Sequence, residues 1–270
     1  MPEKPLFFRV CNLVTNACTL NCKLCIVQCP KLENLPELSL EFVNAVTDKA
    51  FEMFDFEIFE FTGGEPLMRN DLHDVLTHAL RYIENVKTEF RLITNGTIVP
   101  SSRVLDALAQ YGNKVLVLIA NYGKQLSVNC DRLIGALEAN NIRYKVNDYH
   151  GEQAVQYFGG WVDFELSAEP KQSPEKAQEI FEKCACVKMR CFPIYRGSVS
   201  ICNLPMVWSA LYKKDAACSD LINLFDESLS IEQKRKKLLA LSTTKTCLLT
   251  CRHCNGMTDE SIRYSAAEQL

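Results

Sequence analysis

Cys18-Thr19-Leu20-Asn21-Cys22-Lys23-Leu24-Cys25 sets three cysteines at C-x3-C-x2-C, directly after an apolar, β-prone run, Phe7–Val14. Three thiolates on one short loop can hold three irons of a four-iron cluster and leave the fourth without a protein ligand. An iron left open in this way takes a substrate or a cofactor. Cys29 follows at a further x3 and offers a fourth ligand, which would close the site as zinc or as an electron-transfer cluster. Against the closed reading stands the next signal in the chain, Thr62-Gly63-Gly64-Glu65-Pro66, which it leaves unexplained. Cys11, inside the strand, reads as a core residue.

Outward from this loop, strand and helix patterns alternate. Ser39–Phe54 reads as a helix, with Ser39 as N-cap and Leu40, Val43, Val46, Ala50 and Phe54 on one face. Glu57–Phe61 is a strand, Asp71–Val86 a helix, Phe90–Thr94 a strand and Ser101–Tyr111 a helix. Lys114–Ala120, almost wholly apolar, reads as a strand buried on both faces. Asn129–Asn141 is a helix, Arg143–Tyr149 a strand, and Trp161–Leu166 a candidate sixth strand. Such alternation predicts an α/β fold with a parallel sheet and helices outside. Five or six units fall short of the eight that close a barrel, so the expected form is a partial, open parallel β/α barrel. Chemistry then collects at the C-terminal strand ends. The cysteine loop, the Gly-Gly-Glu-Pro turn, Thr94-Asn95-Gly96-Thr97 and Asn121-Tyr122-Gly123 all follow predicted strands and share that rim.

The pattern changes after Ser167. Residues 1–166 read as the barrel core and 167–270 as a small cysteine-rich domain of a β-hairpin and helices. Pro170–Pro174 is a linker and Pro174–Cys184 a helix; Ile194–Arg196 and Val199–Ile201 flank Gly197-Ser198 as a hairpin. Ser230–Leu241 is a Lys/Arg-rich amphipathic helix with a solvated face. Cys247-Leu248-Leu249-Thr250-Cys251-Arg252-His253-Cys254 follows.

The fourteen cysteines divide sharply: five lie in residues 11–29, eight in residues 184–254, and Cys130 is alone between them. Neither a signal-like start nor a membrane-length apolar run is present, and a chain of 270 residues is long for a disulfide scaffold. Clustered cysteines in a reducing cytosol are metal ligands first, and the division implies two metal sites. Net charge is −3 with no basic stripe, which argues against nucleic acid and a membrane surface and for a small partner.

The C-x3-C-x2-C loop and the Gly-Gly-Glu-Pro turn, in this order, resemble the radical S-adenosylmethionine (radical SAM) superfamily. The resemblance implies that Cys18, Cys22 and Cys25 hold a four-iron, four-sulfur cluster whose open iron binds S-adenosylmethionine. It implies that Gly63, Gly64 and Glu65 meet the methionine end of that cofactor, and that Asn95, Asn121 and Tyr122 are rim candidates for its ribose and adenine. Leu24 stands where the family commonly has an aromatic residue.

The C-terminal region resembles the SPASM and shorter Twitch auxiliary-cluster modules of that superfamily, which open with a cysteine, a spacer and then Gly-x4-Cys. Gly197-Ser198-Val199-Ser200-Ile201-Cys202 fits the second half of this opening. Cys184, Cys186 and Cys191 compete for the first. Cys251-x2-Cys254 completes one auxiliary four-iron cluster, with the ligand set Cys186 (or Cys184, or Cys191), Cys202, Cys251 and Cys254. A zinc site using His253 is the alternative. Cys218 reads as packing.

One auxiliary cluster on a short module is similar to the 2-deoxy-scyllo-inosamine dehydrogenases. The string Tyr195–Pro205 is similar to radical SAM proteins of surface-polysaccharide loci. Together these imply an oxidoreductase that uses S-adenosylmethionine and two four-iron clusters to oxidise a secondary alcohol of a sugar- or cyclitol-like molecule. A reductant such as flavodoxin or ferredoxin would supply electrons, in the cytoplasm. Asp148, Tyr149 and His150, ending the fifth strand, are the candidates for the base that takes the hydroxyl proton, with His150 suited to neutral pH. Trp161 would line the sugar or pack, and His73 and His78 read as structural. The alternatives are a SPASM-type peptide-modifying enzyme and a non-catalytic iron–sulfur or zinc protein. The six residues before the first strand argue against the peptide reading, since such enzymes often carry an N-terminal peptide-binding domain.

Overall fold

β1 (Leu6–Thr15) is the centre of an open sheet of eight strands among the described residues. The computed structural model describes residues 4–151, 160–212 and 219–270. After β1 come a short helix α1 (Cys29–Leu32), α2 (Leu40–Met53), β2 (Asp55–Gly63), α3 (Leu72–Ala79), β3 (Val86–Thr94), α4 (Ser102–Ala109), β4 (Val115–Asn121), α5 (Cys130–Ala139) and β5 (Tyr144–Asp148). The C-terminal part contributes α6 (Pro174–Lys183), α7 (Ala185–Lys188), β6 (Phe192–Tyr195), β7 (Ser198–Val199), α8 (Leu204–Tyr212), β8 (Ile222–Asn223) and α9 (Ile231–Ser242). Strand order is β5-β4-β3-β2-β1-β6-β7-β8, parallel from β5 through β6 and antiparallel at the last two pairings.

The period of two decides which face is which. Val10 and Val14 of β1, Phe59 and Phe61 of β2, Phe90 and Leu92 of β3, and Val117 and Ile119 of β4 are buried in the main core. The intervening residues turn to the concave side, where Arg9, Cys11, Arg91, Leu118 and Lys145 line a cavity. β4 is therefore buried on one face and half-buried on the other, which corrects the expectation of two buried faces. Its apolar concave residues face the cavity and no second layer of helices.

Helix starts follow the capping rule: Ser39, Ser101, Ser173 and Ser230 each accept a hydrogen bond from the N3 backbone N–H of α2, α4, α6 and α9. The helix expected over 71–86 ends at Ala79; a tighter turn with a kink at Tyr82 follows, and Val86 already belongs to β3. Tyr82 fixes the kink, with its ring stacked 4.3 Å from Phe51 and its hydroxyl donating to Asp48 at 2.6 Å.

Trp161–Leu166 is not the sixth strand; only Trp161 pairs, in a single bridge with Tyr264. The sixth parallel strand is β6, beside β1 on the opposite flank, with Cys11 level with Pro193. The hairpin turn is Arg196-Gly197 rather than Gly197-Ser198, and both turn residues have positive φ, as a two-residue hairpin needs. α8 is an addition to the sequence reading, although Asn203 directly before it and Pro205 in its first turn are helix-start signals. α9 is less solvated than expected: the buried Lys234 donates to the Leu224 carbonyl and Arg235 donates to the Met53 and Glu52 carbonyls. No helix of the described residues is long and apolar enough to cross a membrane. Cys218 lies outside the described residues.

Candidate active site

At the C-terminal ends of β1 and β2 two loops meet backbone to backbone. The N–H of Gly64 donates to the Thr15 carbonyl (3.0 Å) and that of Glu65 to the Ala17 carbonyl (2.8 Å). A Cβ on Gly63 would stand 2.4 Å from the Thr15 oxygen, and one on Gly64 2.0 Å from the Ala17 oxygen. Both glycines are thus required by the run-in to the cysteine loop itself. This contact is a nearer cause for the two glycines than close approach to a cofactor.

Glu65 is fully buried, and its carboxylate accepts the N–H of Asn95 at 2.7 Å and that of Leu67 at 3.0 Å. Burial pushes it up to about 7 against these hydrogen bonds. Its oxygens are thus committed to tying β3's end to β2's, and it positions Asn95. The Asn95 amide donates to the Thr19 hydroxyl (3.1 Å) and toward the Cys18 sulfur (3.6 Å). Asn95 therefore orients the cysteine loop while also lining the cavity.

Cys18, Cys22 and Cys25 all face this cavity, whose volume is about 680 Å³. Their surroundings act on the three thiols in opposite directions. Cys25 is lowered to about 6 by the thiol of Cys29, aided by the backbone N–H groups of Val27, Gln28 and Cys29. Burial raises Cys18, and raises Cys22 to about 11. Cys29 is buried against Cys25 and is pushed up by sharing that proton. A segment absent from the sequence argument clasps the loop: Gln269 donates from its amide to the Cys22 sulfur (3.4 Å) and accepts from the Asn21 N–H (2.8 Å). The backbones pair alongside, Lys23 with Glu268 and Leu270 with Asn21. Only long-range contact selects this tail; nothing in its composition marks it.

Across the rim, Tyr122, Tyr149 and Trp161 form an aromatic wall, the two tyrosines stacked at 5.5 Å and Trp161 edge-on to Tyr122 at 5.9 Å. Asn121 turns away from the cavity: its amide donates to Asp148 (2.6 Å), lies 3.1 Å from His150 Nε2, and its oxygen accepts the Gly123 N–H. Asp148 and His150 stand together on this outer turn, about half exposed, while Tyr149 alone of the three candidate bases lines the cavity. His73 and His78 lie on α3 beside Asp74 and Asp48.

The second cysteine group belongs to a cluster against which Ile26, next to Cys25, also packs. Cys184, Cys186 and Cys254 are buried in one apolar cluster, with Cys202 packed against it. Cys184, Cys202, Cys251 and Cys254 bound a second, small cavity, and Cys186 and Cys202 line the large one. Cys184 is lowered to about 6 by the Cys186 thiol, and burial raises Cys251 and Cys254. The sulfurs of Cys202 and Cys254 accept the N–H of Leu204 and Gly256. Cys247 is held elsewhere, its N–H on Gln178. Cys191 is grouped differently from the rest: its sulfur, that of Cys11 and a Glu60 oxygen lie within 4.8 Å of one another in the barrel. His253 turns its Nδ1 to the Ser167 carbonyl (3.1 Å), and its ring packs against Trp208 (4.6 Å between centroids). Asp220, buried, holds the Cys251 loop by accepting from Leu249, Thr250 and the Thr250 hydroxyl. Neither Asp220 nor Trp208 carried a sequence signal, because each acts through a partner about thirty to forty residues away.

An open parallel sheet thus sets three cavity-lining cysteines beside a glycine turn. Residues 12–134 match the family described as the Radical SAM superfamily, and the chain carries a radical SAM domain. A domain of this family holds a four-iron, four-sulfur cluster and S-adenosylmethionine. The chain is 30% identical over 103 residues to the GTP 3′,8-cyclase of Aquifex aeolicus (strain VF5). That match covers 37% of this chain and 31% of the cyclase, so the chain spans less than a third of that relative. Native anSMEcpe with bound AdoMet has the same fold, with a TM-score of 0.56 at 16% identity over 98% of this chain and 93% of that one. BtrN in complex with AdoMet and 2-DOIA aligns at 16% identity and a TM-score of 0.48, over 97% and 99% of the two chains.

Proposed function

We propose that the chain is a radical SAM oxidoreductase with two four-iron clusters that oxidises a secondary alcohol of a sugar- or cyclitol-like small molecule. Cys18, Cys22 and Cys25 would hold the first cluster. Cys202, Cys251 and Cys254, with Cys184 or Cys186, would hold the second in the 167–270 domain. One observation carries the reading: a single cavity is lined both by the first three thiols and by Cys186 and Cys202. When bound, the cofactors would supply a 5′-deoxyadenosyl radical and an electron acceptor to this one cavity. A substrate between them loses a hydrogen atom from its carbinol carbon, its hydroxyl proton and one electron, which together make a ketone.

The chain's own residues position this chemistry. Tyr122, Tyr149 and Trp161 give a sugar ring an apolar wall and help keep water from the radical. Tyr149 is the candidate that reaches the cavity to take the hydroxyl proton or to relay it to the outer Asp148–His150 pair. A flavodoxin- or ferredoxin-type reductant, in the cytoplasm, would charge the first cluster.

The test is anaerobic reconstitution of wild type and of a variant with Cys18, Cys22 and Cys25 all changed to Ala. About eight irons in wild type against about four in the variant is the expected result. Formation of 5′-deoxyadenosine after dithionite reduction should occur in wild type and be lost in the variant. Zinc in place of the second set of irons would remove the electron acceptor and the oxidase assignment with it. A fully loaded protein that forms no 5′-deoxyadenosine would overturn the enzyme reading.

A further inference from the structure

Below the rim, the cavity wall is charged, and its charges do not cancel. Arg9, Arg91 and Lys145 line it, together with one carboxylate, Glu89. The fully buried Glu60 accepts Arg9 Nε at 2.9 Å and Arg91 Nη1 at 3.2 Å, and Glu89 accepts Arg91 Nε at 2.7 Å and Arg143 Nη2 at 3.1 Å. The chain Arg9–Glu60–Arg91–Glu89–Arg143 thus holds three cations on two carboxylates, and Lys145 adds a fourth cation. Among the described residues Lys145 has no ion pair, and both Nη groups of Arg9 and Nη2 of Arg91 have no acceptor. The two arginine side chains are 23% and 20% exposed, and both line the cavity.

The two carboxylates serve as struts. They hold both guanidiniums at the cavity and leave the remaining N–H groups without an acceptor. A held guanidinium with spare donors in a partly dry pocket is suited to a planar or tetrahedral oxyanion. A metal cation fits the same place poorly. Cys11, Cys191 and Glu60 come within 4.8 Å of one another. Both Glu60 oxygens are already given to arginines, however, and Arg9 stands among them.

The position also separates this patch from the cofactor's end. Arg91 precedes Thr94 by three residues, about 10 Å down the strand, and Arg9 precedes Thr15 by six, about 20 Å. Resting on the reading of this cavity as the substrate's space, we infer that its lower part binds an anionic substituent of the substrate, phosphoryl or carboxylate, on Arg9, Arg91 and Lys145.

Calorimetric titration of the anaerobically reconstituted full chain with inorganic phosphate, and separately with acetate, tests this at low ionic strength. The emission of Trp161, on the same cavity, is the second readout. At least one anion should saturate with S-adenosylmethionine present, and the tighter arm names the substituent. Lys145→Ala, at an exposed position, and Arg9→Gln, which keeps a donor for Glu60, should each weaken binding roughly tenfold. No saturation by either anion up to about tens of millimolar would overturn the inference. So would affinity unchanged in both variants, or displacement of the anion by S-adenosylmethionine, which would put it in the cofactor's own carboxylate position. Formation of 5′-deoxyadenosine is read separately. Cleavage without anion binding defeats this inference alone, and anion binding without cleavage defeats only the radical chemistry.

Discussion

Gly64 leaves its neighbours the least room of any glycine at the rim. A methyl group there would meet the Ala17 carbonyl at 2.0 Å, a backbone atom that can move only by moving the cysteine loop. Gly64→Ala should therefore cost about 1–3 kcal/mol of stability. Reconstituted iron should also fall toward that of the triple-cysteine variant, which thermal melting and iron analysis check together. Glu65 offers a pH signature. Its folded carboxyl is raised to about 7 from 4.5, so the folded state binds that proton more tightly. The unfolded chain gives it up first, and stability falls as pH rises between those two values. Subtracting the melting curve of Glu65→Gln from that of wild type isolates this slope, because the glutamine does not titrate. The difference should disfavour wild type progressively from about pH 5 to pH 7 and level off above. At pH 5 the ranking should reverse, since an amide in this place faces two N–H donors with one oxygen, a loss of about 1–3 kcal/mol.

At the scale of elements, what was legible in the sequence was whatever depends on near neighbours. Ser39, Ser101 and Ser230 cap the helices they were read to start, and β1, β3, β4 and β5 lie where their apolar runs predict. What failed was placed by partners far along the chain. Trp161–Leu166 has strand-like composition, but the flank of β1 is already taken by β6 and the edge beyond β5 is not extended by it. The C-terminal clasp is of the same kind, a polar tail whose only meaning is its register against Asn21–Lys23. It also yields a prediction. Removing Glu268–Leu270 deletes two backbone hydrogen bonds and both Gln269 side-chain contacts to the loop. Cys22 should become more accessible to a thiol reagent in the metal-free protein, while the melting temperature, set by the main core, changes by only a few degrees. Gln269→Ala should show part of the same effect. After reconstitution it should lower the first cluster's reduction potential, since a hydrogen bond to sulfur favours the more reduced state.

For the whole molecule, the cysteine count of the sequence implied two sites but left three cysteines in competition for one place, because spacing alone is blind to which strand a residue flanks. The fold separates them. β6 pairs with β1, which carries Cys191 into the barrel beside Cys11, while Cys184 and Cys186, on the turn of α7, stay with Cys202 and Cys254. The lower cavity charges were invisible for the same reason: Arg9, Glu60, Arg91 and Glu89 are scattered over eighty residues of sequence and become one network only when β1, β2 and β3 lie in register. This separation predicts a ranking of iron content. Cys202→Ser and Cys254→Ser should each lose about four irons of eight and keep the first cluster. Cys191→Ser should keep all of them. Cys184→Ser and Cys186→Ser, compared directly, identify the fourth ligand, since the thiol that only hydrogen-bonds to its neighbour can be replaced by a hydroxyl without losing metal. If Cys191→Ser instead loses four irons while Cys184→Ser and Cys186→Ser do not, the second cluster faces the barrel, and the electron acceptor stands inside the substrate cavity rather than behind its wall.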